Sequence, residues 1–447
     1  MNAPPPALLR CVDGASALAL AGRRRAAPLD PERSRAVQEI LERVQRGGDA
    51  ALLAEIARIE GTRAKHLSEL KLSRETLARA AERIDVQLLD ALEGVIERVR
   101  RFQTAVLPQS TELRGAAGER LLQRIVPLRR VGVYVPGGKA LYPSSVIMNV
   151  VPAQCAGVGS IAVVTPPRAG HDGQPKVADV LLAALYLCGV EEVWTFGGAQ
   201  AIAALAFGTE SLEAVDKIAG PGNAWVATAK ALVADRVGID MIAGPSEVMI
   251  LADDDADPDA VAADLLAQAE HDEEASAVLV STEPALAGRL SVRLAARLEE
   301  LPEPNRSIAR ASLRDHGLHV AARSVDEAIA VAEAWAPEHL ELCLRDAAAV
   351  AERITRAGAV FVGDATPEVV GDYVAGPSHT LPTAGCARFA SGLSSADFVR
   401  RMSVIEYGSA ALRRDRAWIE GLARAEGLHA HARSARAGRR ERGGEGA

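Results

Sequence analysis

The sequence predicts an α/β protein of two Rossmann-like α/β domains with mostly parallel sheets, an N-terminal arm and a small helical C-terminal region. Short apolar runs rich in β-branched residues alternate with longer helical stretches from Arg129 onward, the pattern of a parallel sheet covered on both faces. A second alternating series begins near Gly244. At 447 residues the chain is also longer than one hydrophobic core organises.

Residues 1–29 form the expected arm. Its apolar stretch is short, an Asp precedes it and arginines follow it, the reverse of a secretory signal, so a cytoplasmic protein is expected. Helical periodicity runs from about Asp30 to Val106, as in RSRAVQEILERVQ, where apolar residues recur three and four apart. RVGVYVPGG, SIAVVTPP and EEVWTFGG follow as strands, separated by helical SSVIMNVVPAQCAGV and KVADVLLAALYLCG and followed by helical AQAIAALAFG. Beyond Gly244, EVMILAD, SAVLVST, HLELCL and AGAVFVG read as strands and PDAVAADLLAQAEH as a helix. A helical region around AALRRDRAWIEGLARAEG closes the ordered chain. The tail 433–447 is Arg- and Gly-rich without apolar periodicity, and disorder is expected there. The expected grouping places 30–130 with 245–385 in one α/β domain, 131–244 in the other, and 386–432 in a separate C-terminal segment.

Composition narrows the function. Fifty-one basic against 59 acidic side chains give a net charge of −8, which offers no general attraction for nucleic acid. No apolar run approaches the roughly 20 residues of a membrane span. The five cysteines, Cys11, Cys155, Cys188, Cys343 and Cys386, are scattered without CxxC spacing. That argues against a disulfide framework and a thiolate zinc site; small buried hydrophobes are the expectation, with a thiol nucleophile left open.

Glycine-rich turns fall where strands end: Pro136-Gly137-Gly138, Gly197-Gly198 and Gly220-Pro221-Gly222-Asn223. Ligands of open parallel sheets bind beyond those ends, and glycines there admit a phosphate. GxGxxG and the GxxxxGK[ST] loop are both absent, so ordinary tight turns compete with an anion site. Asp264, Gln268 and His271 share one helix face at spacings of four and three, a pattern a solvated face also produces. Glu338-His339 places an acid beside an imidazole, which can take and return a proton near neutral pH. In a regular strand the two would point apart, so joint use needs the strand's irregular mouth. The loop 371–393 holds Asp372 and His379 in a Gly/Pro/Ser/Thr-rich stretch, and loops of that length are functional or disordered. Glu426, His429 and His431 fall within six residues. Imidazole and carboxylate are the zinc ligands expected where thiolates are absent.

VGVYVPGGKALYPSSVIMN, GGAQAIAALAFGT, IAGPGNAWV, AGPSEVMILAD, DLLAQAEHDEEA, APEHLEL, GDYVAGPSHTLPTAGCARFASGL and EGLHAHARS, in that order, resemble the histidinol dehydrogenase family from about residue 30 to 434. The resemblance implies one zinc (Zn2+) held by Gln268, His271, Asp372 and His431, and an acid–base pair of Glu338 and His339. It implies substrate contacts from Ser246, His379 and Glu426, and NAD contacts from Tyr134, Gln200 and Asn223. The implied activity is oxidation of L-histidinol to L-histidine through bound L-histidinal with two NAD+, ending histidine biosynthesis. It further implies a homodimer whose C-terminal segment crosses over, so that Glu426 and His431 complete the neighbouring subunit's site. Past the HARS block the chain departs from the family's apolar ending. A sister dehydrogenase acting on a substrate such as a sulfonated propanediol, a zinc hydrolase using Glu338 to activate water, and a non-catalytic zinc-binding scaffold remain the alternatives.

Overall fold

A computed structural model describes residues 8–23, 29–137, 141–169 and 175–437. Apolar runs buried on both faces make its central strands: all of Arg130–Tyr134 and all of Glu247–Ala252 are buried, as parallel sheets under helical layers require. One six-stranded sheet runs in the order Gly238–Ile239, Lys217–Ala219, Arg130–Tyr134, Ser160–Val164, Glu192–Trp194, Lys71–Leu72. Every pairing in it is parallel except the last. The other runs Arg10–Asp13, Leu318–Ala321, Ser276–Ser281, Glu247–Ala252, His339–Cys343, Ala359–Val362 and is parallel throughout. Leaving aside the edge strands Lys71–Leu72 and Arg10–Asp13, both sheets have the doubly wound order. The strand order reverses between Arg130–Tyr134 and Lys217–Ala219 in one and between Glu247–Ala252 and His339–Cys343 in the other. Two mostly parallel α/β sheets are thus what the sequence predicts and what the chain forms.

The helices begin on the signals the sequence carries. Asp30 accepts from the N–H groups of Glu32 and Arg33 with Pro31 in the first turn, and Asp257 caps Pro258–Ala269 in the same way. Their packing corrects the expected grouping. Val37, Ile40, Leu41, Val44, Leu52 and Ile56 of the helix Pro31–Glu60 lie in the core with Ala162, Trp194 and Leu205, so this helix covers the sheet of 130–239, not that of 245–385. Lys71–Leu72 likewise adds to the former. The expected N-terminal arm is partly sheet and helix: Arg10–Asp13 pairs in parallel with Leu318–Ala321, and Gly14–Arg23 follows as a helix. Residues 1–7 and 24–28 of the arm lie outside the described residues.

Among the described residues, Leu107–Pro127 and the chain from Val399 onward form a separate compact unit. Three antiparallel strands build it, Val399–Glu406, Arg120–Pro127 and Thr111–Arg114 in that order, followed by the helices Ser409–Ala425 and His429–Arg436. Arg414 ties Glu119 to this helical pair at 3.0 Å and Asp415 at 2.7 Å. The tail expected to be disordered is helical through Arg436, and residues 438–447 lie outside the described residues. No helix among the described residues is long and apolar enough to cross a membrane.

Candidate active site

The strand His339–Cys343 begins where the preceding helix Val325–Trp335 is stopped by Ala336, a left-handed residue at φ 50°. Pro337 follows, and Glu338 and His339 therefore sit at the strand's entrance rather than inside its regular pleat. Both are 5 % exposed. Glu338 Oε2 accepts the N–H of Glu247 at 2.9 Å, and His339 Nδ1 lies 3.1 Å from the carbonyl oxygen of the same residue. A carbonyl only accepts, so Nδ1 carries the proton and Nε2 keeps its lone pair. Nε2 is 3.9 Å from Asp372 Oδ1.

Asp372 belongs to the short helix Val369–Tyr373 at the head of the polar loop. Its carbonyl accepts from His379 Nδ1 at 3.2 Å, and His379 Nε2 lies 3.4 Å from Ser145 Oγ. The loop is stitched along the helix Pro143–Cys155 by Ser378 Oγ donating to the Met148 carbonyl at 3.0 Å and Asn149 Nδ2 donating to Thr380 Oγ1 at 3.4 Å. Gln268, near the end of Pro258–Ala269, is 1 % exposed with its amide nitrogen unpartnered. His271 follows just beyond that helix, close enough for its charge to be felt by both His339 and His379. Ser246 precedes Glu247 on the same strand entrance, its carbonyl accepting from Ser276 N at 3.0 Å. Glu338, His339, Asp372, His379 and His271 thus share one neighbourhood, buried at Glu338 and His339 and half-buried at the other three.

Burial sets the chemistry of that neighbourhood. It pushes Glu338 well above the usual carboxylate range, with the Glu247 N–H opposing and the charges of Glu247 and Asp372 reinforcing the rise. It holds His339 and His379 below the ordinary imidazole value, Asp372 opposing in both cases. A neutral imidazole with a free Nε2 can accept a proton, and a carboxyl raised in pKa is a stronger base once ionised.

The sequence reading missed three buried acids beside these residues. Glu247, Glu341 and Glu368 are each 1 % exposed. Glu341 Oε1 accepts Glu368 N at 2.6 Å, and Glu368 Oε2 is 3.8 Å from His339 Nδ1. For two of them a signal was present: a charged residue within an apolar strand, Glu247 in EVMILA and Glu341 in HLELC, is costly unless held; Glu368, just ahead of the helix Val369–Tyr373, had none.

The residues expected at the dinucleotide cluster at the carboxyl ends of the other sheet, but as braces for its glycine turns. Tyr134, pushed by burial to about 12, accepts Gly198 N on its hydroxyl at 3.2 Å. Gln200 is fully buried and donates to Glu60 Oε1 at 2.7 Å. Asn223 Oδ1 caps the helix Ala224–Val233, accepting from Trp225 N at 3.0 Å and Val226 N at 3.2 Å. Gly220, at φ +106°, lies against Tyr134: a Cβ there would stand 2.1 Å from the Tyr134 carbonyl oxygen. Lys230 holds the same turn from beneath, donating to Gly220 O at 3.0 Å and to Asp240.

Among the described residues no group of three or more His, Cys, Asp or Glu side chains is arranged to hold a metal ion. Of the expected ligands, only His271 and Asp372 are of those types in this part of the chain, beside the Gln268 amide. Glu426, His429 and His431 are solvent-exposed in the C-terminal unit. The donor set nonetheless suits a divalent cation: the carbonyl oxygen of a buried amide, an imidazole and a carboxylate in an acid-rich surrounding, lacking a fourth ligand.

Comparison with known proteins is consistent across its forms. The family model for histidinol dehydrogenase matches residues 23–439. A histidinol dehydrogenase of Parasynechococcus marenigrum is 47% identical over 400 residues, covering 90% of each chain. That of Gluconobacter oxydans is 47% identical over 398 residues, covering 89% of this chain and 91% of its own. The crystal structure of histidinol dehydrogenase from Elizabethkingia anophelis superimposes with a TM-score of 0.90 at 30% identity, covering 96% of this chain and 98% of that one.

Proposed function

The chain belongs to the histidinol dehydrogenase family of oxidoreductases, and from that premise we propose that it oxidises L-histidinol to L-histidine through bound L-histidinal in the cytoplasm. The observation that carries this reading is the buried Glu338–His339 pair, both members tied to residue 247 and facing Asp372. Gln268, His271 and Asp372 would hold a zinc, with His431 of the partner subunit as fourth ligand in a homodimer. When bound, the zinc would supply positive charge that anchors the substrate's imidazole and amine, and two NAD+ in turn would supply the electron acceptor. Tyr134, Gln200 and Asn223 would shape the cofactor site through the turns they brace.

His339 takes the hydroxyl proton at Nε2, its tautomer fixed by the Glu247 carbonyl. Glu338 then accepts a proton from the water that adds to the aldehyde. His379, held by Asp372 and Ser145, and Ser246 orient the substrate, joined by Glu426 of the partner subunit. The gain is largely orientation, and enclosure keeps a reactive amino-aldehyde from escaping between the two oxidations. NADH formed per histidinol consumed, with and without chelator, tests the proposal. Two NADH per substrate, lost on chelation, is the expected result. One per substrate, turnover indifferent to chelation, or turnover of a sulfonated propanediol in place of histidinol would overturn it.

A further inference from the structure

Residue 247 does more than stand next to the acid–base pair. Its N–H holds Glu338 and its carbonyl holds His339, so a shift of this one peptide segment displaces both groups. Its side chain is buried and is engaged from two other directions. Oε2 accepts the indole N–H of Trp335 at 3.2 Å, and Oε1 accepts the N–H of Ala384 at 2.9 Å. Gly244 N adds a strut to the same loop, donating to Thr383 Oγ1 at 2.6 Å.

The backbone at those two contacts is strained. Ala336 at φ 50° and Ala384 at φ 53° are the two non-glycine residues with positive φ among the described residues. A left-handed alanine is unfavourable by about 1–2 kcal/mol, and such positions persist where their surroundings over-determine them, often at functional sites. Ala384 is itself bonded to the Glu247 carboxylate, and Ala336 directly follows Trp335, which is bonded to the other oxygen. Ala336 is also where the chain turns to deliver Pro337, Glu338 and His339 to the strand entrance. One carboxylate therefore fastens both strained turns, while the backbone of the same residue fastens the two groups those turns deliver.

We infer that Glu247 is a positioning residue for the reaction: its carboxylate locks the Trp335–Ala336 turn and the Ala384 turn so that its own peptide groups present Glu338 and His339 together. The inference rests on the reading of Glu338 and His339 as the acid–base pair. A misplacement on the order of 1 Å costs up to about a hundredfold in rate, and that sets the scale of effect.

The test uses full-length Glu247→Gln, which keeps the shape but loses one acceptor, and Trp335→Phe, which removes one donor from the far side. Rates per active site are measured separately with histidinol and with histidinal, with sites counted from the single-turnover NADH amplitude. Glu247→Gln is expected to lower kcat about 10- to 100-fold with both substrates, leaving KM for histidinol within about twofold and metal content at the wild-type level. Trp335→Phe is expected to lower both rates about 3- to 10-fold. Wild-type rates per active site in both variants, whatever their yield or melting temperature, would overturn the inference, because a purely structural role moves only the active fraction. A change confined to KM would overturn it equally. Glu338→Gln and His339→Asn run in parallel. If these two keep full rates with both substrates, the acid–base assignment itself fails, an outcome separate from any result at Glu247.

Discussion

Replacing Lys230 with Met isolates one buried charge pair beneath the glycine turn at 220–222. Lys230 is 2 % exposed and the Asp240 side chain fully buried, so solvent screening does not soften the effect. The ammonium donates to the Gly220 carbonyl and to Asp240. The Asp240 carboxylate also accepts Gly220 N at 2.8 Å and Met241 N at 2.6 Å. Removing one partner of a buried pair costs about 3–5 kcal/mol, because an uncompensated charge remains. Here two backbone N–H donors stay on the carboxylate, so the lower end, about 3 kcal/mol, is expected from urea unfolding followed by tryptophan fluorescence. Adding Asp240→Asn removes the stranded charge while keeping an acceptor for Gly220 N, and should recover at least about 1 kcal/mol. On the proposed function, with the dinucleotide at this turn, the same variants should raise KM for NAD+ more than KM for histidinol, since the loosened turn lies where the strand order reverses. Lys230→Met within about 1 kcal/mol of wild type, or a double variant less stable than the single, would refute the reasoning.

Two other perturbations follow from the coordinates. Gly220→Ala places a methyl 2.1 Å from the Tyr134 carbonyl at a φ of +106°, and should destabilise by more than about 2 kcal/mol; an unchanged melting temperature would contradict the close approach. Asp264 and Glu341 share a buried carboxyl–carboxyl contact, in which burial foremost raises them to about 6 and about 8. A proton shared between the two carboxyls is the expected consequence of these raised values. Because the folded values lie above the unfolded ones, this contribution is complete below about pH 4 and is lost as pH rises through about 6 to 8. Glu341→Gln should therefore flatten the fall in stability between about pH 4 and 8, and an unchanged pH profile of unfolding would rule the shared proton out.

How much of this was legible in the sequence depended on how much of each element was buried. Strands buried on both faces, such as EVMILA and SAVLVS, announce themselves as unbroken apolar runs. Edge strands do not: RCVD and KL are short and largely exposed, and nothing local distinguishes them from loop. The alternation of RLLQRIVP is broken by adjacent leucines, and its paired residues lie 6 to 12 positions away on one side and 272 to 286 on the other, so the antiparallel trio went unread. Which sheet a helix covers is likewise a long-range fact, and periodicity in 31–60 names an apolar face without naming its partner. At the site, the residue types Glu338, His339, Asp372 and His379 were visible as polar clusters, whereas the hydrogen bonds of Glu247 required three separate segments to be in place.

The parallel pairing of Arg10–Asp13 with Leu318–Ala321 carries a consequence for synthesis on the ribosome. Cys11 meets His319 across 308 positions of sequence. At roughly 5–20 residues per second, the first strand emerges about 15–60 s before its mate is made. Through that interval a nascent β-edge stands open, and quality control in the cell must tolerate it until the last third of the polypeptide arrives to cover it.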